Sequence, residues 1–262
     1  ATTIHLNGTL TGSGNKTVPF GSTINSAGTF SGTGELIIAD GAILNFTNAG
    51  STYFFNTIRN HGTANWNTGE RINPCIATGP FINETDGELV MGGPNTRYFG
   101  RTNLINHGLI TKNTNANIYI NNDGQCGGAG YFENSGTLEG IGYLDVSAGP
   151  FTHTGSCSPG NSIGQLTLGV SNLSNGTLYI GLASASGPGT GHDRLTINGN
   201  FTATGTLNVS VEGGYNPPLG TSFEIVSATG AISGEFTTIN LPAGMEDFIV
   251  TYNAQTILIT RG

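Results

Sequence analysis

The sequence predicts an all-β chain, a right-handed parallel β-helix (β-solenoid) with a C-terminal cap, and three observations predict it. Glycine occupies 43 of 262 positions while charged residues make up only 9%, against about 25% in ordinary globular chains. Many short strands joined by tight turns suit that composition; helices do not. Second, apolar and polar residues alternate over short runs such as Gln165-Leu166-Thr167-Leu168, the period-2 pattern of a half-buried strand. Third, turn signals return at intervals too long for a simple meander. The Ile, Leu, Val and Phe recur at strand spacing, which argues against disorder.

The first half carries a loose repeat. Asn25-Ser26-Ala27-Gly28, Asn60-His61-Gly62, Asn83 through Gly87, Asn106-His107-Gly108 and Asn134-Ser135-Gly136 place glycines at 28, 62, 87, 108 and 136, hence intervals of 34, 25, 21 and 28. Ile58, Ile82, Leu104 with Ile105, and Phe132 precede the later turns. Asn-Gly turns also close antiparallel hairpins, but a meander needs no such return interval. A coil that must close before the next one stacks on it does. Parallel strands joined by crossovers are right-handed in about 98% of cases. Coils of roughly 24 residues would give about eleven, stacked at ~4.8 Å. Asn60, Asn106 and Asn134 either bond to one another along the stack, as in cross-β ladders, or merely tolerate a left-handed turn; both readings stand.

The second half is more regular. In GSCSPGNSIGQLTLG, Gly155 to Gly169, the pair Pro159-Gly160 marks a turn, with proline pre-setting φ and glycine accepting positive φ. Leu178, Ile180 and Leu182 then share one face, as do Leu195 and Ile197, and Leu207, Val209 and Val211. Alternation crosses the turn without a linker, so one domain over 1–262 is expected, with irregular coils over 1–154 and regular ones over 155–262. The loop Tyr215-Asn216-Pro217-Pro218 and the final strands, Phe248–Tyr252 and Thr256–Thr260, are the expected cap, since an open sheet end invites aggregation.

Three strings in order carry a family resemblance: SPGNSIG-x-L from Ser158, HDRLTINGNFTATGTLNV at 192–209, and SFEIVSATGAISGEFTTINLP at 222–242. Together they resemble the C-terminal end of autotransporter-type passengers and related bacterial secreted surface β-helix proteins. The match covers about residues 150–262; residues 1–150 share only the repeat style. The resemblance implies a secreted or cell-surface passenger or stalk with a structural or adhesive role. The chain opens on Ala-Thr-Thr-Ile-His-Leu, already strand-like, as expected once a leader has been removed.

Composition narrows the partners. Net charge is −8 and the lysines are Lys16 and Lys112, so nucleic acid, which is bound by clustered Lys and Arg, is excluded. Direct membrane insertion is excluded because no apolar run nears the ~18–20 residues that span a bilayer. The cysteines are Cys75, Cys126 and Cys157. Cys126 and Cys157 lie about one long coil apart, within disulfide reach on adjacent coils, so a Cys126–Cys157 bridge with Cys75 free is expected.

Carboxylates are the first candidates for chemistry, and a polysaccharide hydrolase would pair them about 5–9.5 Å apart. Asp86 and Glu88, with Arg71 and Arg97 as neighbours, are the candidates for catalysis; Asp123, Glu133, Glu139 and Asp145 are further options. Against them, sixteen scattered carboxylates keep a Gly/Thr-rich chain soluble. The Asp-rich calcium loop is missing, and the five histidines do not pair at short spacing, so neither metal nor cofactor is expected. Trp66, Tyr98 and Tyr131 are the candidates for an exposed aromatic row that stacks on sugar rings. Thr9/Thr11 and Thr202/Thr204/Thr206 raise ice or surface binding, but the threonines do not recur coil after coil. The resulting order is a structural or adhesive surface protein that contacts glycans along one face, then a carbohydrate-active enzyme, then an ice binder.

Overall fold

In the computed structural model, residues 2–73, 79–122, 130–174 and 176–262 are described. The chain is a right-handed parallel β-solenoid with a distinct C-terminal region. It forms two compact units, Ala1–Thr137 with Leu144–Thr152, and Leu138–Tyr143 with His153–Gly262.

In the first unit each coil lays one strand on each of three sheets. The first sheet stacks Thr3–Leu6, Thr23–Ser26, Ile43–Phe46, Thr63–Trp66, Glu88–Met91 and Leu109–Asn113 in parallel. Register partners 3, 23, 43, 63, 88 and 109 give coils of 20 to 25 residues along this sheet, and pairs such as Arg71 with Tyr98 and Leu104 with Phe132 lengthen them to 27 and 28. The second sheet includes Ser51–Phe54, Arg71–Ile72, Arg97–Phe99 and Ile118–Ile120. The third runs from Lys16–Val18 through Ile58–Asn60, Phe81–Asn83, Leu104–Asn106 and Phe132–Asn134 to Phe151–His153. Alternation points every second side chain inward. Leu36, Ile58, Phe81, Leu104 and Phe132 stand in register and are buried. Burying each such side chain contributes about 1.5–3 kcal/mol.

The next inward position of the third sheet holds Ile38, Asn60, Asn83, Asn106 and Asn134 in register. Here the asparagines form a continuous ladder. Asn60 Nδ2 donates to Asn83 Oδ1 at 2.7 Å, Asn83 Nδ2 to Asn106 Oδ1 at 2.7 Å, and Asn106 Nδ2 to Asn134 Oδ1 at 2.5 Å. Each of these donors also reaches backbone carbonyls around its turn, such as Gly62 O and Glu88 O for Asn60. A buried amide without partners costs about 1–3 kcal/mol, and the ladder avoids that cost at each linked amide. None of the four has positive φ; among the described non-glycine residues that conformation falls to Asn73, Asn121 and Ser162. The ladder reading therefore holds and the left-handed-turn reading does not. The same geometry explains the corner glycines. Gly62, Gly87, Gly108 and Gly136 also lack positive φ; a Cβ on them would overlap the carbonyl oxygens of Ala42, Asn60, Glu84 and Gly108 respectively. Close approach of successive coils, not turn conformation, demands glycine there.

In the second unit, Ser156–Pro159, Thr177–Leu182, Thr206–Val211 and Thr238–Asn240 stack in parallel. Gln165–Gly169, Arg194–Ile197 and Ser222–Ala228 form a second sheet. It ends in two antiparallel strands, Thr256–Arg261 against Ser222–Ala228 and Phe248–Tyr252 against Thr256–Arg261. These are the expected capping strands. Tyr215, in the proline-rich loop, sets its ring edge-on to Phe223, which also packs against Phe248. Gly160 takes the expected positive φ, +91°, but Pro159 ends the strand Ser156–Pro159 and Gly160 bridges to Gly140.

Candidate functional site

Two inter-strand loops of the first unit, 67–70 and 92–96, with the strand start at Arg97 and Tyr98, enclose an open cleft of about 640 Å³ lined by Asn67, Thr68, Glu70, Asn95, Thr96, Arg97 and Tyr98 among others. Arg97 builds it. The side chain is 2% exposed, and its guanidinium donates to backbone carbonyls of both loops: Nε to Gly69 O at 3.0 Å, Nη2 to Asn67 O at 2.6 Å, and Nη1 to Gly92 O and to Asn95 O at 3.3 Å. Gly93, at φ +84°, lies against the guanidinium where a Cβ would overlap it. Burial pulls the Arg97 pKa below its ordinary value, yet arginine stays charged in proteins.

Lys112 has a comparable role in the next coil. It points inward in register with Met91 and donates to Thr114 O at 2.5 Å and Ala116 O at 2.9 Å. Burial lowers its pKa to about 8.

Tyr98, from the cleft lining, stands in register with Arg71 and Tyr119 on the second sheet. The Arg71 guanidinium lies 4.9 Å from the Tyr98 ring centre, and Tyr98 stacks on Tyr119 with centroids 5.2 Å apart and planes 13° from parallel. Glu70 accepts from Arg71 at 3.0 Å. Both π-faces of Tyr98 thus meet neighbours within the chain.

The expected aromatic row is not assembled. Trp66 is 1% exposed and packs edge-on against Phe99 in the core, so it has no face for a sugar. Tyr131 is 37% exposed, but it precedes a strand of the third sheet, where its carbonyl accepts Leu104 N–H, while Tyr98 lies on the second. Of the three, the cleft holds Tyr98. Glu70 and Tyr119 were not foreseen; sheet register, invisible in a chain with variable coil lengths, is what places them beside it.

The carboxylates Asp86 and Glu88 line neither this cleft nor the second one described below. Asp86 pairs with His61 Nδ1 at 2.9 Å, and Glu88 accepts Thr111 Oγ1 at 3.1 Å. Of the arginines expected beside them, Arg97 lines the cleft and Arg71 lies over the ring of Tyr98 instead. Asp123 lies outside the described residues. His107 pairs with Ser135 Oγ at 2.8 Å. Among the described residues no group of three or more His, Cys, Asp or Glu could hold a metal. In the first unit threonine columns are interrupted: Thr23 and Thr63 flank Ile43, and Thr9 and Thr29 are followed by Tyr53; in the second, Thr177, Thr206 and Thr238 stand in register over three coils.

A second cleft, of about 270 Å³, lies in the second unit between Ser158, Asn161, Ser162, Glu139, Asp193 and Glu212. Asp193 is 3% exposed. Its Oδ1 accepts Gly164 N–H and its Oδ2 accepts Gly181 N–H, both at 2.7 Å. Burial, opposed by those two bonds and aided by the charge of Glu212, pushes its pKa up to about 7. Glu212 in turn accepts Ser162 Oγ at 2.9 Å. The loop 158–164 is therefore tied down by two carboxylates. Beside it Cys157 is a free, buried thiol, its pKa pushed up to about 12 by burial and by the charge of Asp193. Cys126, its expected partner, and Cys75 lie outside the described residues. No protein-family model matches the chain, and no curated protein matches it.

Proposed function

We propose that this β-solenoid is a structural and adhesive scaffold of a secreted or cell-surface bacterial protein, of the autotransporter passenger or stalk type, and that it holds glycan chains in the cleft beside Tyr98. The surface location rests on the motifs of residues 158–242. The observation that carries the adhesive reading is the lining of that cleft. Asn67, Thr68, Glu70, Asn95, Thr96 and Tyr98 present amides, hydroxyls, a carboxylate and a phenol to one concavity, on loops that Arg97 fixes to each other. Sugars are recognised by such convergent donors and acceptors placed on a preorganised surface, because ordering them beforehand lowers the entropic cost of binding.

A polysaccharide panel scored for both retention and depolymerisation tests the proposal. Retention without cleavage, weakened at least several-fold by Tyr98→Ala, is the expected result. Cleavage lost on neutralising Asp86 or Glu88 would replace it with the enzymatic reading. Neither retention nor cleavage would leave a spacer.

A further inference from the structure

Asn-Gly pairs stand at Asn7-Gly8, Asn175-Gly176 and Asn198-Gly199; Asn175 lies outside the described residues. The other two pairs are similar corners. Asn7-Gly8 joins Thr3–Leu6 to Thr9–Leu10, and Asn198-Gly199 joins Arg194–Ile197 to Asn200–Ala203. Both asparagines are exposed, and among the described residues neither glycine N–H has an acceptor. What differs is how the surrounding backbone is held. The corner at Asn198 is bonded on both sides: Asn198 N–H donates to Leu168 O at 2.8 Å and Asn200 N–H to Ser171 O at 2.9 Å, while Thr229 N–H donates to Ile197 O at 2.9 Å and Gly230 N–H to Gly199 O at 2.8 Å. A Cβ on Gly199 would overlap Val170 O. The corner at Asn7 is bonded from one side, by Ala27 N–H to Leu6 O at 2.9 Å and Thr29 N–H to Gly8 O at 3.0 Å. Around the Cβ position of Gly8 nothing lies within 4 Å.

We propose that Asn7 is a site of spontaneous modification, converting to aspartate and isoaspartate in the folded protein, and that Asn198 is spared. Hydroxide takes the proton of the Gly8 N–H, and the nitrogen attacks Asn7 Cγ. The Cγ–Nδ2 bond breaks, Nδ2 leaves as ammonia, and a cyclic succinimide remains. Water then adds to either ring carbonyl and opens it, leaving aspartate or isoaspartate. Glycine favours the attack because no side chain shields its nitrogen. Ring closure also needs the backbone to rotate until that nitrogen meets Cγ. At Asn7 the rotation works against bonds on one side of the corner. At Asn198 it disrupts bonds to two coils, so local opening must come first. Either product adds a negative charge at Asn7. Isoaspartate also routes the backbone through the side chain, lengthening the corner between Thr3–Leu6 and Thr9–Leu10.

The test is to hold the full chain at neutral and mildly alkaline pH, natively and in urea, and to follow both asparagines by peptide mapping that separates aspartyl from isoaspartyl products. In urea the two should convert at similar rates. In the native protein Asn7 should keep nearly its urea rate, rising with pH, while Asn198 should convert at least about tenfold more slowly because it awaits local opening. Gly8→Ala, whose added Cβ meets nothing within 4 Å, should slow conversion at Asn7 several-fold and leave the melting temperature unchanged or slightly raised. Native Asn198 converting as fast as Asn7, native Asn7 as well protected as Asn198, or conversion undiminished by Gly8→Ala would each overturn the inference. All three outcomes concern the backbone at these corners and leave the glycan reading where it stands.

Discussion

The Asp193 carboxylate accepts the backbone N–H of Gly164 at 2.7 Å and, through its other oxygen, that of Gly181 at 2.7 Å. One bond thereby joins the two motifs that stood out in the sequence, Ser158–Gly164 and the His-Asp-Arg-Leu that opens at residue 192. Gly160 and Gly164 fit the same contact: a Cβ on Gly160 would stand 2.9 Å from Asp193 Oδ1 and 2.5 Å from Gly164 N. The motif is a loop and its anchor.

That anchor makes stability depend on pH. Asp193 is raised from 3.8 to about 7 in the folded chain, so the native state binds the extra proton between those values. Its stabilising contribution is complete below about pH 4 and is lost as pH rises through 7, by at most about 4 kcal/mol. Urea midpoints of the wild type, compared with Asp193→Asn from pH 4 to 8, should show this decline in the wild type. The asparagine variant, whatever its baseline, should lack it.

The asparagine ladder should be steepest in its interior. Asn83 and Asn106 each bond to a rung on both sides, while Asn60 follows Ile38 and has a buried Oδ1 with no donor. Asn83→Ala or Asn106→Ala should cost about 2–4 kcal/mol by chemical denaturation, since each strands two amide partners. Asn60→Ala should cost less. Equal losses at all three positions would mean that the rungs act independently.

Glycine at the corners has a similarly sharp test. A Cβ at Gly108 would overlap Glu84 O, whereas at Gly8 nothing lies within 4 Å. Gly108→Ala should lower stability by about 1–3 kcal/mol through forced separation of coils, and Gly8→Ala should be near neutral or slightly stabilising.

Cys157 should resist alkylation in the native state, because only the thiolate is nucleophilic and burial holds the thiol protonated. Peptide mapping should find it modified after unfolding without reductant. Modification that needs reductant would instead restore the expected bridge to Cys126.

The sequence made the fold legible because its signals are local. Alternation in Leu207-Asn208-Val209, the positive φ at Gly160 and the Asn-Gly corners each need only neighbours in the chain. The ladder was only partly visible: Asn60, Asn106 and Asn134 share a spacing with glycine two residues on, but Asn83 is followed by a longer turn and its place among them appears only in the register with Phe81 and Ile82. The site was harder to read. Coils that vary from 20 to 28 residues hide which outward side chains become neighbours, so Tyr98 was named without Arg71 and Tyr119, which cover its faces. Trp66 was misread because alternation alone gives no absolute sense of inside and outside; its partner Phe99 supplies that.

The most direct test of the adhesive account is to fill the cleft. Thr96 is exposed on its rim and lines it, so Thr96→Trp occupies the space without touching the core. Glycan retention measured beside a melting curve should fall at least tenfold while the melting temperature stays within a few degrees, as surface substitutions usually allow. Undiminished retention by a folded Thr96→Trp protein would contradict the claim that this cleft is where the glycan sits.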